Sequence, residues 1–344
     1  MKNKHKVLEL VLIGVLCITS YVIAEDKKDG NLPSHITNIR LENIRPITPE
    51  GESWGQSSWS PDSKKIYLAH PTNIRVFDIE TETLIDIPIL SKDTEGYIGI
   101  RVWSTDGNKI VLGTDILTEP VKGKGKIFVA ENMIVDLKAK KVKKISLPTK
   151  GQVEWDNKEF CCYEISKTQG FINIQYFDEN GKKMEHPPKL SVTKLIIDDN
   201  SNIWEISIST DGKQSKNLIT INDDVKNETG GNYRRLVYSK NRMYILVNDE
   251  YVLDNKGNLL CDLNGHGSWS SDGQFILYQI TEEDGEVTLS SDLFMWDSIT
   301  KNTFQLTTTP TLLESFEVLS PDGKKLIFSE EKNLAIYEAD VIYE

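Results

Sequence analysis

Cysteine is scarce in this chain, four in 344 residues. Cys17 lies in the N-terminal apolar stretch, which leaves Cys161, Cys162 and Cys261 for the folded part. An odd number without metal-ligand spacing excludes a disulfide framework and a cysteine-based zinc site. Cys161 and Cys162 are adjacent, and consecutive strand residues point to opposite faces, so the two thiols are expected to stay unpaired. Basic charge is also short: 40 Lys and Arg stand against 52 Asp and Glu, a net charge of -12. The basic residues are scattered rather than gathered on one stretch, which argues against binding through nucleic-acid phosphates and for a solvated, self-repelling surface. No long polar or Pro-rich tract is present, and 38% hydrophobic residues suffice for a folded core.

The one long apolar run is at the N-terminus. Lys2, Lys4 and Lys6 precede an apolar stretch from Val7 to Ala24 that ends Val22-Ile23-Ala24, the pattern of an export signal cleaved after Ala24. The same stretch is nearly long enough to span a bilayer, so a retained N-terminal anchor is the alternative. Leu16 before Cys17 does not suit a lipidation site. Without residues 1–24 the chain holds 37 basic and 51 acidic side chains.

A repeated hairpin dominates what remains. A Trp or apolar residue is followed by Ser, a turn with Asp-Gly or a near equivalent, and a β-rich run. It stands at Trp59-Ser60-Pro61-Asp62-Ser63, Trp103-Ser104-Thr105-Asp106-Gly107, Trp269-Ser270-Ser271-Asp272-Gly273 and Leu319-Ser320-Pro321-Asp322-Gly323. Pro presets φ, Asp bonds its own backbone two residues on, and Gly accepts a left-handed conformation. Weaker copies occur at Trp155 and Tyr238, and a degenerate one at Ile197. A second signature, an alternating strand ending at Asp and a polar turn, follows at Arg75–Leu84, Ile134–Ile145, Tyr176–Met184, Tyr251–Leu260 and Phe294–Thr307. Two hairpins per repeat make a four-stranded unit, and starts at 59, 103, 155, 197, 238, 269 and 319 have the period of a propeller blade, roughly 40–50 residues. The fold class is therefore all-β: a β-propeller of seven four-stranded antiparallel blades, with six left open by the ambiguous 190–230 stretch. The last repeat lacks a full outer strand, and Ile39–Thr48 resembles one, so the N-terminal strand is expected to close the last blade. The domain reading is 1–24 signal or anchor, 25–35 linker and 36–344 propeller.

These Ser-Pro-Asp-Gly-Lys-Lys hairpins, with the Asp-x-x-Thr-x-x-x-x-x-Leu-Thr turn of Asp297–Thr307, resemble the TolB-like, WD-like propeller repeats of bacteria. The resemblance covers about 36–344 and implies the blade, not a function, because such blades serve both exported scaffolds and the propeller domains of serine peptidases. TolB carries a further α/β domain ahead of its propeller; the short stretch Glu25–Ser34 offers no room for one, so its envelope role does not transfer.

Few residues suggest chemistry. Gly51-Glu52-Ser53-Trp54-Gly55 matches the nucleophile-elbow pattern, but it leads into the first hairpin rather than from a strand into a helix, so Ser53 is not expected to be catalytic. His266, in Gly265-His266-Gly267, enters an inner strand near the channel mouth and is the candidate ligand contact. His35, His70 and His186 share no metal spacing. Asp198-Asp199-Asn200-Ser201-Asn202 lacks the Gly and Glu of a calcium loop, and Asn227-Glu228-Thr229 is a formal glycosylation acceptor only. Trp59, Trp103 and Trp269 recur at one repeat position and are expected between blades; Trp54, Trp204 and Trp296 break the register and are better placed for exposed contacts. No catalytic residue, metal or cofactor is expected. The reading is an exported, monomeric, non-catalytic scaffold, periplasmic or extracellular, that binds an envelope protein or glycan. It binds no nucleic acid, and it touches the membrane only through an N-terminal anchor. The alternative is a propeller-type hydrolase or lyase with a site assembled at the channel mouth.

Overall fold

The computed structural model describes residues 36–344 except 52–56, 69, 71, 91–95, 118–127, 148–151, 157–158, 167–170, 186–191, 198–199, 201, 210, 212, 222, 232, 286–287 and 310–311. The signal or anchor segment lies outside the described residues. The first strand, β1 (Ile39–Pro46), belongs to the last blade. Blade 1 is β2 (Ser57–Trp59), β3 (Lys65–Leu68), β4 (Asn73–Asp78) and β5 (Thr83–Pro88); blade 2 is β6 (Gly96–Trp103), β7 (Lys109–Leu117), β8 (Phe128–Asp136) and β9 (Lys141–Ile145). Blade 3 is β10 (Gln152–Asp156), β11 (Glu159–Ser166), β12 (Phe171–Asp178) and β13 (Lys183–Met184). Blade 4 has three strands, β14 (Val192–Ile197), β15 (Ile203–Ile208) and β16 (Gln214–Ile219), followed by the helix α1 (Asp223–Thr229). Blade 5 is β17 (Leu236–Tyr238), β18 (Tyr244–Val247), β19 (Tyr251–Asp254) and β20 (Leu259–Asp262). Blade 6 is β21 (His266–Trp269), β22 (Phe275–Glu283), β23 (Thr288–Asp297) and β24 (Thr303–Gln305). Blade 7 is β25 (Glu314–Leu319), β26 (Lys325–Glu330) and β27 (Ala335–Tyr343), completed by β1. The propeller is seven-bladed, and all seven hairpin starts read from the sequence fall at the ends of innermost strands.

The inner turn is built the same way in five blades. In blade 1 the Ser60 hydroxyl donates to Asp62 (2.6 Å) and accepts from the Lys65 amide (2.9 Å). Ser104, Ser239, Ser270 and Ser320 repeat both bonds, with Asn241 in place of Asp in blade 5. All five serines are buried, so each hydroxyl satisfies a backbone donor that water cannot reach. The residue three after each serine is left-handed: Gly107, Gly273 and Gly323, but also Ser63 (φ 59°) and Arg242 (φ 58°).

The second strand of each blade is a run of apolar residues because both its faces are covered. In β7, Ile110 and Leu112 pack toward blade 1 while Val111 packs toward blade 3. Ile276 of β22 likewise faces blade 5, and Phe275 and Leu277 face blade 7. Among the described residues the core divides into seven clusters, each shared by two adjoining blades. The recurrent tryptophans stand at these seams as the sequence implied: the indole of Trp59 donates to Val318 O of blade 7 (2.9 Å), Trp103 to Ser58 Oγ of blade 1 (3.0 Å) and Trp269 to Val237 O of blade 5 (3.3 Å). Cys161 and Cys162 are buried and form no disulfide, and they pack into clusters on opposite sides of blade 3. Burial pushes the Cys161 thiol up to about 12, with a smaller contribution from Glu154.

The ring closes as the sequence predicts. β1 pairs antiparallel with β27 from Ile39↔Tyr343 to Pro46↔Tyr337, with one irregularity between Glu42 and Arg45. Thr37 N donates to Glu344 O (2.6 Å), and Ile47 N to Ile336 O (2.8 Å). Lys325 joins Glu338 (2.5 Å) and Asp340 (2.8 Å), and Arg45 reaches Glu82 of blade 1 (2.6 Å).

Neighbouring inner turns abut. A Cβ on Gly273 would meet Lys240 N of blade 5 at 2.4 Å, and the left-handed φ of 77° there already disfavours a side chain. Gly273→Ala is therefore expected to lower stability by more than about 1 kcal/mol, while Arg242→Gly relieves a left-handed Arg and raises it by about 1 kcal/mol. Urea denaturation of the two variants checks the opposite signs.

Candidate functional site at the channel mouth

Strands alternate in direction, so the turns between first and second strands lie on one face of the ring. The loops that lead into each innermost strand lie on the other, where those strands converge on the central axis. His266 stands there as the first residue of β21, and its ring is exposed. Its flanking glycines have a packing cause: a Cβ on Gly265 would sit 2.0 Å from Gln279 O, and one on Gly267 would sit 2.8 Å from Ile276 Cγ2 and 3.0 Å from Leu277 O. Only glycine lets β21 approach β22 this closely, and the residue between the two glycines projects into solvent.

The neighbouring mouth of blade 5 is braced by a short hairpin. Asn248 (φ 55°) and Asp249 (φ 64°) are both left-handed, the conformation a two-residue β-turn requires. Asn248 Oδ1 accepts from Arg234 N (2.7 Å), Asp249 Oδ2 pairs with Arg235 Nη1 (2.9 Å), and Asp249 O accepts from Gly267 N (2.6 Å). Arg235, Asp249 and Gly267 thus tie the mouths of blades 5 and 6 together beside His266.

Blade 7 supplies a different surface. Between Ser315 and Val318 the pairing of β25 with β26 shifts register, and Phe316 in this bulge has φ 55° while 48% exposed. A bulky residue in the left-handed region is strained by roughly 1–3 kcal/mol. The next residue, Glu317, is buried. Burial pushes its carboxyl up to about 7, with Glu314 nearby adding to the shift, and it forms no ion pair among the described residues. Glu314 is also raised by burial, against hydrogen bonds from the hydroxyls of Thr307 (2.5 Å) and Thr309 (3.1 Å). Asp292 accepts from Thr309 N (2.8 Å), and Glu330 from Lys332 N (3.0 Å) and Asn333 N (2.5 Å). These carboxylates act as acceptors for local backbone and hydroxyl groups. No group of three His, Cys, Asp or Glu able to hold a metal occurs among the described residues.

The remaining sequence candidates are dispersed. Ser53, Trp54, His35 and His186 lie outside the described residues, as do Asp198, Asp199 and Ser201 of the polar turn. His70 Nδ1 accepts from Thr72 N (3.3 Å) and Asn73 N (3.1 Å) in a turn of blade 1, on a different blade from His266. Thr229 spends its hydroxyl on Val225 O within α1 (2.7 Å). Trp296 corrects an expectation of exposure: it is 2% exposed in the seam between blades 5 and 6, where its ring meets Trp269 edge-on (centroids 6.4 Å) and Tyr244 (6.1 Å). It breaks the Trp register because it sits on the third strand, facing the same seam from farther out. Trp204 is partly exposed, with Lys216 Nζ 3.8 Å from its ring centroid. Phe316 and Glu317 were missed; the available signal was an acid-flanked aromatic, Glu314-Ser315-Phe316-Glu317, in a strand that should bury its side chains.

The shift at Glu317 has a definite sign. Its folded carboxyl holds a proton between its usual value of 4.5 and about 7, whereas the unfolded one has lost it. Stability is thus fully present below pH 4.5, falls as pH rises toward 7, and is flat above. The full excursion is at most about 3 kcal/mol. Glu317→Gln should remove this slope and be more stable than the parent at pH 8 but not at pH 4. Urea denaturation across that range measures it, and parallel profiles would refute the assignment.

No family model and no curated protein matches the sequence. Solved structures do match in fold. One is a chain from the crystal structure of a mitotic checkpoint complex, at TM-score 0.50 and 12% identity, covering 100% of both chains. A second is the Cps50 (Swd1) β-propeller domain of Myceliophteria thermophila, at TM-score 0.50 and 12% identity, covering 88% of this chain and 100% of that one. A third is the WD40-repeat structure of RRP9, at TM-score 0.55 and 10% identity, covering 90% of this chain and 100% of that one. At such identities the likeness is one of architecture: the chain folds as a WD-like β-propeller.

Proposed function

We propose that this protein is an exported, non-catalytic propeller whose loop-bearing face binds a protein partner of the cell envelope. The observation that carries the reading is Phe316, a half-exposed aromatic held at a strained φ of 55° on an innermost strand. Strain of this kind persists where the surroundings impose it and clusters at ligand-contacting positions, and a rigid aromatic is the side chain best suited to anchor a partner. His266 and the Arg235–Asp249 pair, at the mouths of the two preceding blades, supply hydrogen-bonding and charged groups on the same face. One structure of similar fold is part of a multiprotein complex, which agrees with a binding role. The N-terminal segment directs the chain out of the cytoplasm, and the TolB-like hairpins agree with an exported propeller. A glycan in place of the protein would use the same aromatic.

Affinity capture from the envelope fraction with the tagged protein, followed by mass spectrometry, tests the reading. The wild type should recover one partner reproducibly, and Phe316→Ala should lose most of it, about tenfold or more for an anchor residue, while keeping its thermal midpoint. Repeated recovery of the protein alone would overturn it.

A further inference from the structure

Blade 4 stops one strand short. The other six sheets have four strands, whereas β14-β15-β16 has three, and among the described residues no strand pairs with the outer edge of β16. The side chains tell the same story. Of the third strands, β4 buries Ile74, Val76 and Phe77 and β19 buries Tyr251, Val252 and Leu253, and neither has an exposed residue. β16 occupies the same rank with every residue from Gln214 to Leu218 exposed, Leu218 by 55%. Among the described residues none returns to fill the place. After Ile219 the chain packs Ile221, Val225 and Tyr233 against Ile245, Val247 and Leu253 of blade 5, so the residues that form a fourth strand elsewhere here form α1 and its turn at Gly230 and Gly231.

We infer that the outer edge of β16 is an acceptor for an extended, acidic and apolar segment of a partner protein, which adds to blade 4 as its fourth strand. The inference rests on the reading of the chain as a protein-binding propeller but concerns a different surface from the channel mouth. An open strand edge offers a row of backbone donors and acceptors that only another strand satisfies as a set, and the six complete blades display the occupant's shape. Its chemistry follows from the strand. Lys216 is the only ionised side chain of Gln214–Ile219. Lys216 and Leu218 are two residues apart on one face, where Leu218 pairs across from Trp204 and Lys216 stands over its ring. An added strand meets that face with a carboxylate beside Lys216 and an apolar side chain beside Leu218, two residues apart. A second copy of this chain would bring β16 against β16, lysine-bearing on both sides, so it fits less well.

A fluorescein-labelled peptide of residues 80–88, the outer strand β5 of this chain's own blade 1 with the acidic turn before it, is the probe, compared with a version whose three acids are lysines. Anisotropy titrations to about 1 mM with the full folded protein should show saturable binding of the acidic peptide, about fivefold weaker binding of the lysine peptide, and inversion of that preference in Lys216→Glu. Hydrogen exchange should slow at 214–219 on binding. Lys216→Ala replaces Lys216→Glu if the latter lowers the thermal midpoint. No saturable binding, equal binding of both peptides, or protection confined to other strands overturns the inference. A dimer in sedimentation with protected 214–219 amides and no peptide present overturns it in favour of self-pairing. Normal capture of an envelope partner with no peptide binding removes only this inference, and peptide binding that survives Phe316→Ala while capture is lost separates the two surfaces.

Discussion

Ring closure by β1 is the constraint on which everything else depends. A blade cannot bury both its faces alone, and only a closed ring gives every blade two neighbours. Each buried cluster here belongs to two blades, including the one in which Trp59, Ile66 and Leu68 of blade 1 meet Ile327 and Ile336 of blade 7. Without the pairing of Ile39–Pro46 with Ala335–Tyr343, that seam would rest on side-chain packing and on single hydrogen bonds such as Trp59 Nε1 to Val318 O and Asp322 N to Ser63 Oγ. The closing strand joins residues as far apart as Thr37 and Glu344. Loop-closure entropy grows only with the logarithm of loop length, so spanning some 300 residues rather than 40 adds about 2 kcal/mol. A strand ladder and a buried seam readily exceed that, which is why a terminal strand can serve as the clasp.

Closure also dictates what the mouth looks like. Seven innermost strands converge, and their residues must either pack into a seam or face the axis. Most blades satisfy this without cost, with a Trp or Leu toward the preceding blade and a buried Ser in the turn. Blade 7 follows the rule at Leu319 and Ser320 but breaks it just upstream, with a left-handed Phe316 and a buried Glu317 that has no ion pair among the described residues, on the innermost strand beside the closing seam. Both features oppose local rules of stability, and departures of that kind concentrate where a protein meets a ligand rather than where it holds itself together.

The repeat was legible because its signals are chemical rather than statistical. In this turn a Ser hydroxyl bridges an Asp side chain and an amide five residues on, and the spacing this requires marks four blades in the sequence at Ser60, Ser104, Ser270 and Ser320. The site was far less legible. His266 could be placed at a strand start, but the link from Arg235 through Asp249 to Gly267 joins residues of two blades, and no local spacing encodes it. Trp296 shows the converse error. Off-register in the repeat, it was expected to be exposed, yet a third-strand aromatic reaches the same seam as Trp269, because the radial position of a strand, not its place in the motif, decides which cluster it enters.

The stretch that was hardest to interpret is also where the fold departs from itself. The 190–230 region left the blade count open because its first hairpin lacks the Trp-Ser-x-Asp-Gly pattern and Ile203–Leu218 can be read either as the outer hairpin of its own blade or as strands of a merged neighbour. The structure shows these as one fact: β16 has the polar, exposed composition of an outermost strand while standing third, and the helix that follows turns its apolar face to blade 5 instead of returning along the sheet. A repeat that loses its outer strand without losing its inner one keeps the ring intact, since the seams are formed mainly by the inner three strands. That makes the rim of blade 4 the place where the propeller can change its surface at least cost to its closure.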